Sequence, residues 1–260
     1  MTYWMRRVRA ALPWLVVGVL ASGIVVLARL PAAWIAPQFA KATNGHVNLI
    51  DADGSLWRGS GSLMLSARDD ASGATLLPGR IEWRTAFWPL FVGRVEMRMR
   101  GTRAMPDPVT LDATLGGATL SAGSIGVPAS LLSGLGAPFN TLAFDGAVQL
   151  TWSPVRLIGH NVYGRLSVTL TDVSSRASPI RPLGSYRAVL QAQGASSTIA
   201  LTTLKGPLLL SGQGTLSRGA ASFQGTASAT PEQRDNLVGL LDLLGRPSGP
   251  PGTVALAFTR

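Results

Sequence analysis

The sequence contains no cysteine, which excludes a disulfide framework, a thiolate metal centre and a cysteine nucleophile together. Histidine is nearly as scarce, with only His46 and His160, and no G-x-S-x-G element accompanies them, so a serine hydrolase has no partnered base. Lysine occurs only at Lys41 and Lys205, and no phosphate-cradling glycine loop ends in one. The D-A-D-G segment lacks the spacing and terminal Glu of a calcium loop, and no His or carboxylate cluster replaces it. The expected lists of catalytic residues, metal ligands, cofactors and small-molecule substrates are therefore empty, and the chain reads as a non-enzyme. Charge is also sparse: Asp, Glu, Lys and Arg make up 14% of residues, too few for long solvent-exposed helices.

What remains is apolar and turn-rich. Hydrophobic residues make up 46%, with 30 Gly and 17 Pro, a balance that suits short strands joined by many turns. The formal net charge is +10, but its distribution argues against nucleic acid. Arg6, Arg7, Arg9 and Arg29 bracket one apolar stretch, which leaves 19 Lys and Arg against 13 Asp and Glu over the rest of the chain. No basic helix, zinc-finger spacing or RNA-binding aromatic signature accompanies this surplus.

The stretch between Arg9 and Arg29 holds 19 uncharged residues, which as a helix span about 29 Å, the thickness of a bilayer's hydrocarbon core. Leu12, Leu15, Val19, Ile24 and Leu27 mark it as a transmembrane anchor. Pro13 falls in its first turn, and Trp4, Trp14 and Trp34 fall near the two interfaces. The arginine bias predicts a cytoplasmic N-terminus over 1–9, a single span over 10–28, a neck over 29–44, and a periplasmic β-rich domain over 45–260. A cleaved signal peptide is the rival, but the apolar run is long for one, and ARLPA offers no small-x-small site. The expected location is the cell inner membrane, single-pass, with membrane lipid as one partner.

Beyond the neck, the fold class is mainly β: an antiparallel sandwich or open groove with one helix late in the chain. R-V-E-M-R-M-R alternates strictly, with Val95, Met97 and Met99 on one face and Arg94, Glu96, Arg98 and Arg100 on the other. Val148, Leu150 and Trp152 repeat the pattern, as do Leu166, Val168 and Leu170, and Val254, Leu256 and Phe258. Gly59, Gly79, Gly101, Gly146, Gly164, Gly206 and Gly225 read as turn signals between such runs. The late helix shows Thr230 as cap, Pro231 at its first position, Gln233 completing a capping box, and a Leu237, Leu240, Leu241, Leu244 stripe stopped by Gly245. Segments 54–63, 206–217 and 219–228 share a style of short apolar strands between glycines.

Two stretches invite chemistry. V-N-L-I-D-A-D-G-S resembles the nucleophile loop of haloacid-dehalogenase-like phosphatases, which would make Asp51 the nucleophile and Asp53 the general acid. That family also needs a magnesium-binding acidic pair and a parallel sheet with alternating helices, and this pattern offers neither; a polar turn permitted by Gly54 is the plainer reading. The second stretch, 80–103, carries six arginines against Glu82 and Glu96. Arg94, Arg98 and Arg100 are its candidate contacts for an acidic partner or lipid headgroups, against the simpler reading of a solvated strand face.

The N-terminal anchor, G-H-V-N-L-I-D-A-D-G-S-L-W-R-G-S-G, the block from Leu77 to Gly101, L-K-G-P-L-L-L-S-G-Q-G with F-Q-G-T-A-S-A, and the leucine helix resemble protein N of the type II secretion system over most of the chain. The resemblance implies a bitopic inner-membrane accessory of the machinery that exports folded proteins across the outer membrane, with other inner-membrane components of that system as partners. The glycine-bounded strands also resemble AsmA-like envelope proteins. That likeness implies a lipid-handling groove, here with an apolar trough formed by residues such as Val95, Met97, Leu166 and Val168.

Overall fold

The computed structural model describes residues 22–23, 29–67, 70–101, 104–135, 143–217, 220–248 and 252–259. The five anchor residues Leu12, Leu15, Val19, Ile24 and Leu27 lie outside them, and among the described residues no helix is long and apolar enough to cross a membrane.

A short neck comes first, a 3-10 turn over Ala32–Trp34 running into an α-helix over Ile35–Ala42. Pro37 lies in the helix's first turn, where its missing N–H costs little. The neck helix ends at Asn44 and Gly45, both with positive φ, and the Gly45 N–H returns to the Ala40 carbonyl at 2.8 Å, a left-handed exit that satisfies an orphan carbonyl.

The strands follow in chain order. They are β1 (Val47–Gly54), β2 (Arg58–Ala67), β3 (Asp70–Leu76), β4 (Ile81–Thr85), β5 (Arg94–Gly101), β6 (Val109–Thr114), β7 (Gly117–Leu120), β8 (Gly123–Pro128), β9 (Phe144–Trp152), β10 (Val155–Ile158), β11 (Asn161–Ser175), β12 (Gly184–Gly194), β13 (Ser196–Lys205), β14 (Leu208–Ser217), β15 (Ala220–Ala229), β16 (Arg246–Pro247) and β17 (Thr253–Thr259). They form one 17-stranded sheet, and every pairing among the described residues is antiparallel. The 15-residue β11 is its junction. One edge of β11 pairs with β10 over Asn161–Tyr163 and with β9 over Leu166–Ser175, and the other pairs with β12. From β10 the sheet runs through β7, β6, β5 and β4 to β2 and β1; from β12 it runs through β13, β14 and β15 to β17.

Register places the apolar positions on one face. Ile125, Leu150, Val168, Ala188 and Leu201 are successive cross-strand neighbours. Met97, Leu111, Leu120 and Val155 continue the same face on the other branch. Two buried clusters close its ends. In one, Leu237, Leu240 and Leu241 of the helix Arg234–Leu244 pack on Tyr186, Leu208, Ala227 and Val254; each such leucine stabilises the fold by about 1.5–3 kcal/mol. In the other, Ala32 of the neck meets Leu49 and Trp83. Between the clusters Ile125, Leu150, Val168 and Ala188 are half-buried, while Val109 and Val148 are fully buried.

Two expectations need correction. Of the seven glycines read as turn signals, only Gly79 and Gly206 lie in turns; the others sit inside or at the end of strands. Close approach is the reason at Gly59, where an added Cβ would collide with the Trp83 ring, and at Gly225, where it would meet the Ser211 carbonyl at 2.5 Å. Sheets use such glycines to seat aromatic rings from the next strand. The leucine helix also begins differently. Thr230 makes no side-chain cap, a 3-10 turn over Pro231–Gln233 leads in, and the Gln233 amide oxygen accepts from Asn236 rather than closing a capping box.

Candidate functional site

The segment Gly54–Gly59 ties the neck to the sheet. Gly54 turns with φ +87°, and the Ser55 hydroxyl accepts the Arg58 N–H at 3.2 Å to tighten the turn. On the neck side, Pro31 bridges Ser55 and the Leu56 N–H reaches the Leu30 carbonyl at 2.9 Å. On the sheet side, the buried Trp83 donates its indole N–H to the Ser55 carbonyl at 3.2 Å, and the Thr85 hydroxyl donates to the Leu56 carbonyl at 2.9 Å. The N–H groups of Ser55, Leu56 and Arg58 and the carbonyls of Ser55, Leu56 and Trp57 thus each have a partner, as buried polar groups require.

Next to it, β4 and β5 join through a tip that is aromatic rather than polar. Trp88–Val92 forms a 3-10 turn closed by Gly93 in the left-handed conformation, its N–H bonded to Leu90. Phe87 is the hub of this tip: it meets Trp57 edge-on at 5.1 Å and Phe91 at 5.3 Å, and Trp88 packs on Phe91 at 5.8 Å. The outer ring of the tip faces solvent, with Trp88 79%, Phe91 69% and Val92 81% exposed.

Behind the tip lies the basic face. Arg58, Arg84 and Arg98 are directly opposed in register across β2, β4 and β5, and Glu82 opposes Arg100 one step along. Glu82, Arg84, Arg98 and Arg100 line a hollow of about 150 Å³. Among the described residues no carboxylate lies within 4 Å of the guanidinium of Arg58, Arg84 or Arg100. Like charges placed opposite one another on a sheet are destabilising, so this row attracts an anion.

The sequence candidates divide accordingly. Arg94 is satisfied within the sheet, with its Nε and Nη2 on Asp112 Oδ1 at 3.0 and 2.8 Å. That hydrogen bond, and then the attraction of the same carboxylate, hold its pKa above the ordinary arginine value. Arg98 touches Glu96 at 3.3 Å on its own strand. Arg98 and Arg100 belong to the basic face. Arg58 and Arg84 complete it: Arg84 lies in the arginine-rich stretch 80–103 but is not among its candidate contacts, and Arg58 lies outside it, because only strand pairing brings them together.

Asp51 and Asp53 are exposed at an irregularity in β1. Asp51 has φ +49° and its carbonyl accepts from Arg80, while the Asp53 carboxylate accepts its neighbour Gly54's N–H at 2.8 Å. Their strand pairs antiparallel with β2, so the parallel sheet that a phosphatase loop needs is replaced by a polar bulge. Among the described residues no three His, Asp or Glu come together as a metal site.

Val95, Met97, Leu166 and Val168 do share the half-buried apolar face. A larger hollow, of about 1080 Å³, lies on the opposite, polar face over β13–β15, lined by hydroxyls and amides such as Thr198, Thr202, Gln213, Thr215 and Gln224.

A family model described as type II secretion system (T2SS), protein N, matches residues 45–256. No curated protein and no solved structure matches the chain.

Proposed function

The chain belongs to the type II secretion system protein N family, and from that premise we propose that it is a non-enzymatic accessory component of the secretion machinery in the inner membrane. In this reading residues 10–28 span the inner membrane once, residues 1–9 remain cytoplasmic, and the domain 45–260 stands in the periplasm and contacts other inner-membrane components. The observation that carries it is the succession of three boundaries along the chain. The charge-free run ends at Arg29, the neck docks on the sheet at Leu30–Leu56, and the family match begins at residue 45.

Deleting the gene and following export of a secreted enzyme tests the role, while protease added to spheroplasts tests the topology. The reading expects impaired export and digestion of the β-rich domain from outside. Unchanged export, or a domain protected until the cytoplasm is opened, would remove it.

The half-buried apolar face favours a second reading, a groove that holds lipid as AsmA-like proteins do. Extraction of lipid from purified protein, followed by its loss in Val168→Asp, supports that reading; a lipid-free preparation counts against it.

A further inference from the structure

We infer that the aromatic tip Phe87–Val92 is a second membrane contact, seated in the periplasmic leaflet beside the anchor with the Arg58–Arg84–Arg98 row against the phosphates of anionic phospholipid. The inference rests on the inner-membrane anchoring proposed above and adds to it a place on the domain that touches lipid.

Position is the first argument. The apolar run 10–28 ends two residues before Leu30, the Leu30 carbonyl accepts the Leu56 N–H, and the next residue, Trp57, meets Phe87 edge-on. A membrane segment that ends at Arg29 therefore brings the bilayer surface to the tip. Trp34, 66% exposed in the first turn of the neck, lies on this same seam.

Composition is the second. Two tryptophan and phenylalanine rings and a valine are left in solvent at one hairpin end, and Trp and Phe are the side chains that favour the membrane–water interface. The tip is also rigid before any contact. Pro89, the left-handed Gly93 and the edge-on contacts of Phe87 with Trp57 and Phe91 restrain it, so little conformational freedom is lost on insertion.

Charge and depth agree. Arg84 is the next-to-last residue of β4, three residues before Phe87, where the chain turns into the tip, which sets the arginine row at most about 10 Å behind the ring hub. The headgroup zone adds roughly 5–8 Å to each side of the hydrocarbon core. Rings at the top of the acyl chains thus leave the guanidinium groups level with the phosphates, where planar, multidentate donors bind them well.

The absence of native cysteine makes the test direct. An environment-sensitive fluorophore is attached through Trp88→Cys, Phe91→Cys, Leu243→Cys or Val19→Cys in the full chain. The protein is reconstituted in vesicles of phosphatidylethanolamine with a minor fraction of phosphatidylglycerol, some acyl chains carrying a nitroxide near the headgroup. Labels at 88 and 91 are expected to be quenched several-fold more than the label at 243, which replaces a 67% exposed side chain on the helix Arg234–Leu244 at the opposite end of the sheet, and Arg84→Gln with Arg98→Gln should reduce that quenching. Quenching at 19 without quenching at 88 and 91 overturns the inference while leaving the anchor intact. No quenching at 19 overturns the anchor reading itself. Burial of the tip labels that scales with protein density would assign the tip to a second copy, and burial only on adding another secretion component would assign it to that protein; either outcome overturns the lipid assignment.

Discussion

Trp83 lies across Gly59, its register partner on the neighbouring strand, and donates its indole N–H to the Ser55 carbonyl at 3.2 Å. This one ring therefore closes the strand pair, supports the turn that receives the neck, and fills the core beneath Ala32. Trp152 repeats the device over Gly123, with its N–H on the Ser121 carbonyl at 2.9 Å.

Gly59→Ala is accordingly expected to destabilise the fold by about 1–3 kcal/mol, the usual cost of forcing atoms into a filled site. Gly116→Ala, where an added Cβ meets nothing within 4 Å, should fall within the scatter of wild type. Urea titration of the two variants checks the contrast.

Leu237 and Leu241 are 0% and 2% exposed, whereas Leu243 on the same helix is 67% exposed. Truncating either buried leucine to Ala should cost about 2–5 kcal/mol, and Leu243→Ala under 0.5. Equal losses at all three positions would show that the helix packs on a different face.

Tyr186 donates its hydroxyl to the Leu208 carbonyl at 3.1 Å, and burial pushes its pKa well above the usual tyrosine value. Because the folded-state pKa is raised, its contribution is fully present below about pH 10 and is lost as pH rises past that. Tyr186→Phe should lower stability at neutral pH by roughly 1 kcal/mol, and the deficit should shrink, then reverse, in strongly alkaline solution. Melting temperatures measured across that range report the sign.

Arg84 sits between Arg58 and Arg98 in register, so relieving that repulsion has a definite direction. Arg84→Gln should raise stability by about 0.2–1 kcal/mol at low salt, and the gain should fade as salt screens the row. The same variant should sediment less with vesicles that contain phosphatidylglycerol. A variant that is less stable at low salt would mean that Arg84 has an attractive partner.

Much of the sheet was legible because alternation survives wherever one face is dry. Val95, Met97 and Met99 opposite Arg94, Arg98 and Arg100 are read correctly from sequence, and so is the leucine stripe. Glycine misled because it has two uses: a left-handed turn and a seat for a neighbouring ring look alike until the ring is placed. The basic face was only half visible, since Arg58 and Arg84 join Arg98 through register, a property of strand pairing that no single run of residues carries. The aromatic tip was written plainly as F-W-P-L-F-V, but its exposure depends on the turn closing at Gly93 instead of folding back onto the sheet.

Strand β11 answers to two neighbours along one side and a single neighbour along the other, so both branches of the ladder are stitched through the same backbone. If the two fragments of a chain nicked in the loop 176–183 are forced apart by denaturant, the separation of β11 from β12 bares an amide edge on each and invites self-association instead of yielding two tidy halves. Heat should therefore release the whole sheet in one calorimetric peak, with no intermediate in which one branch outlives the other.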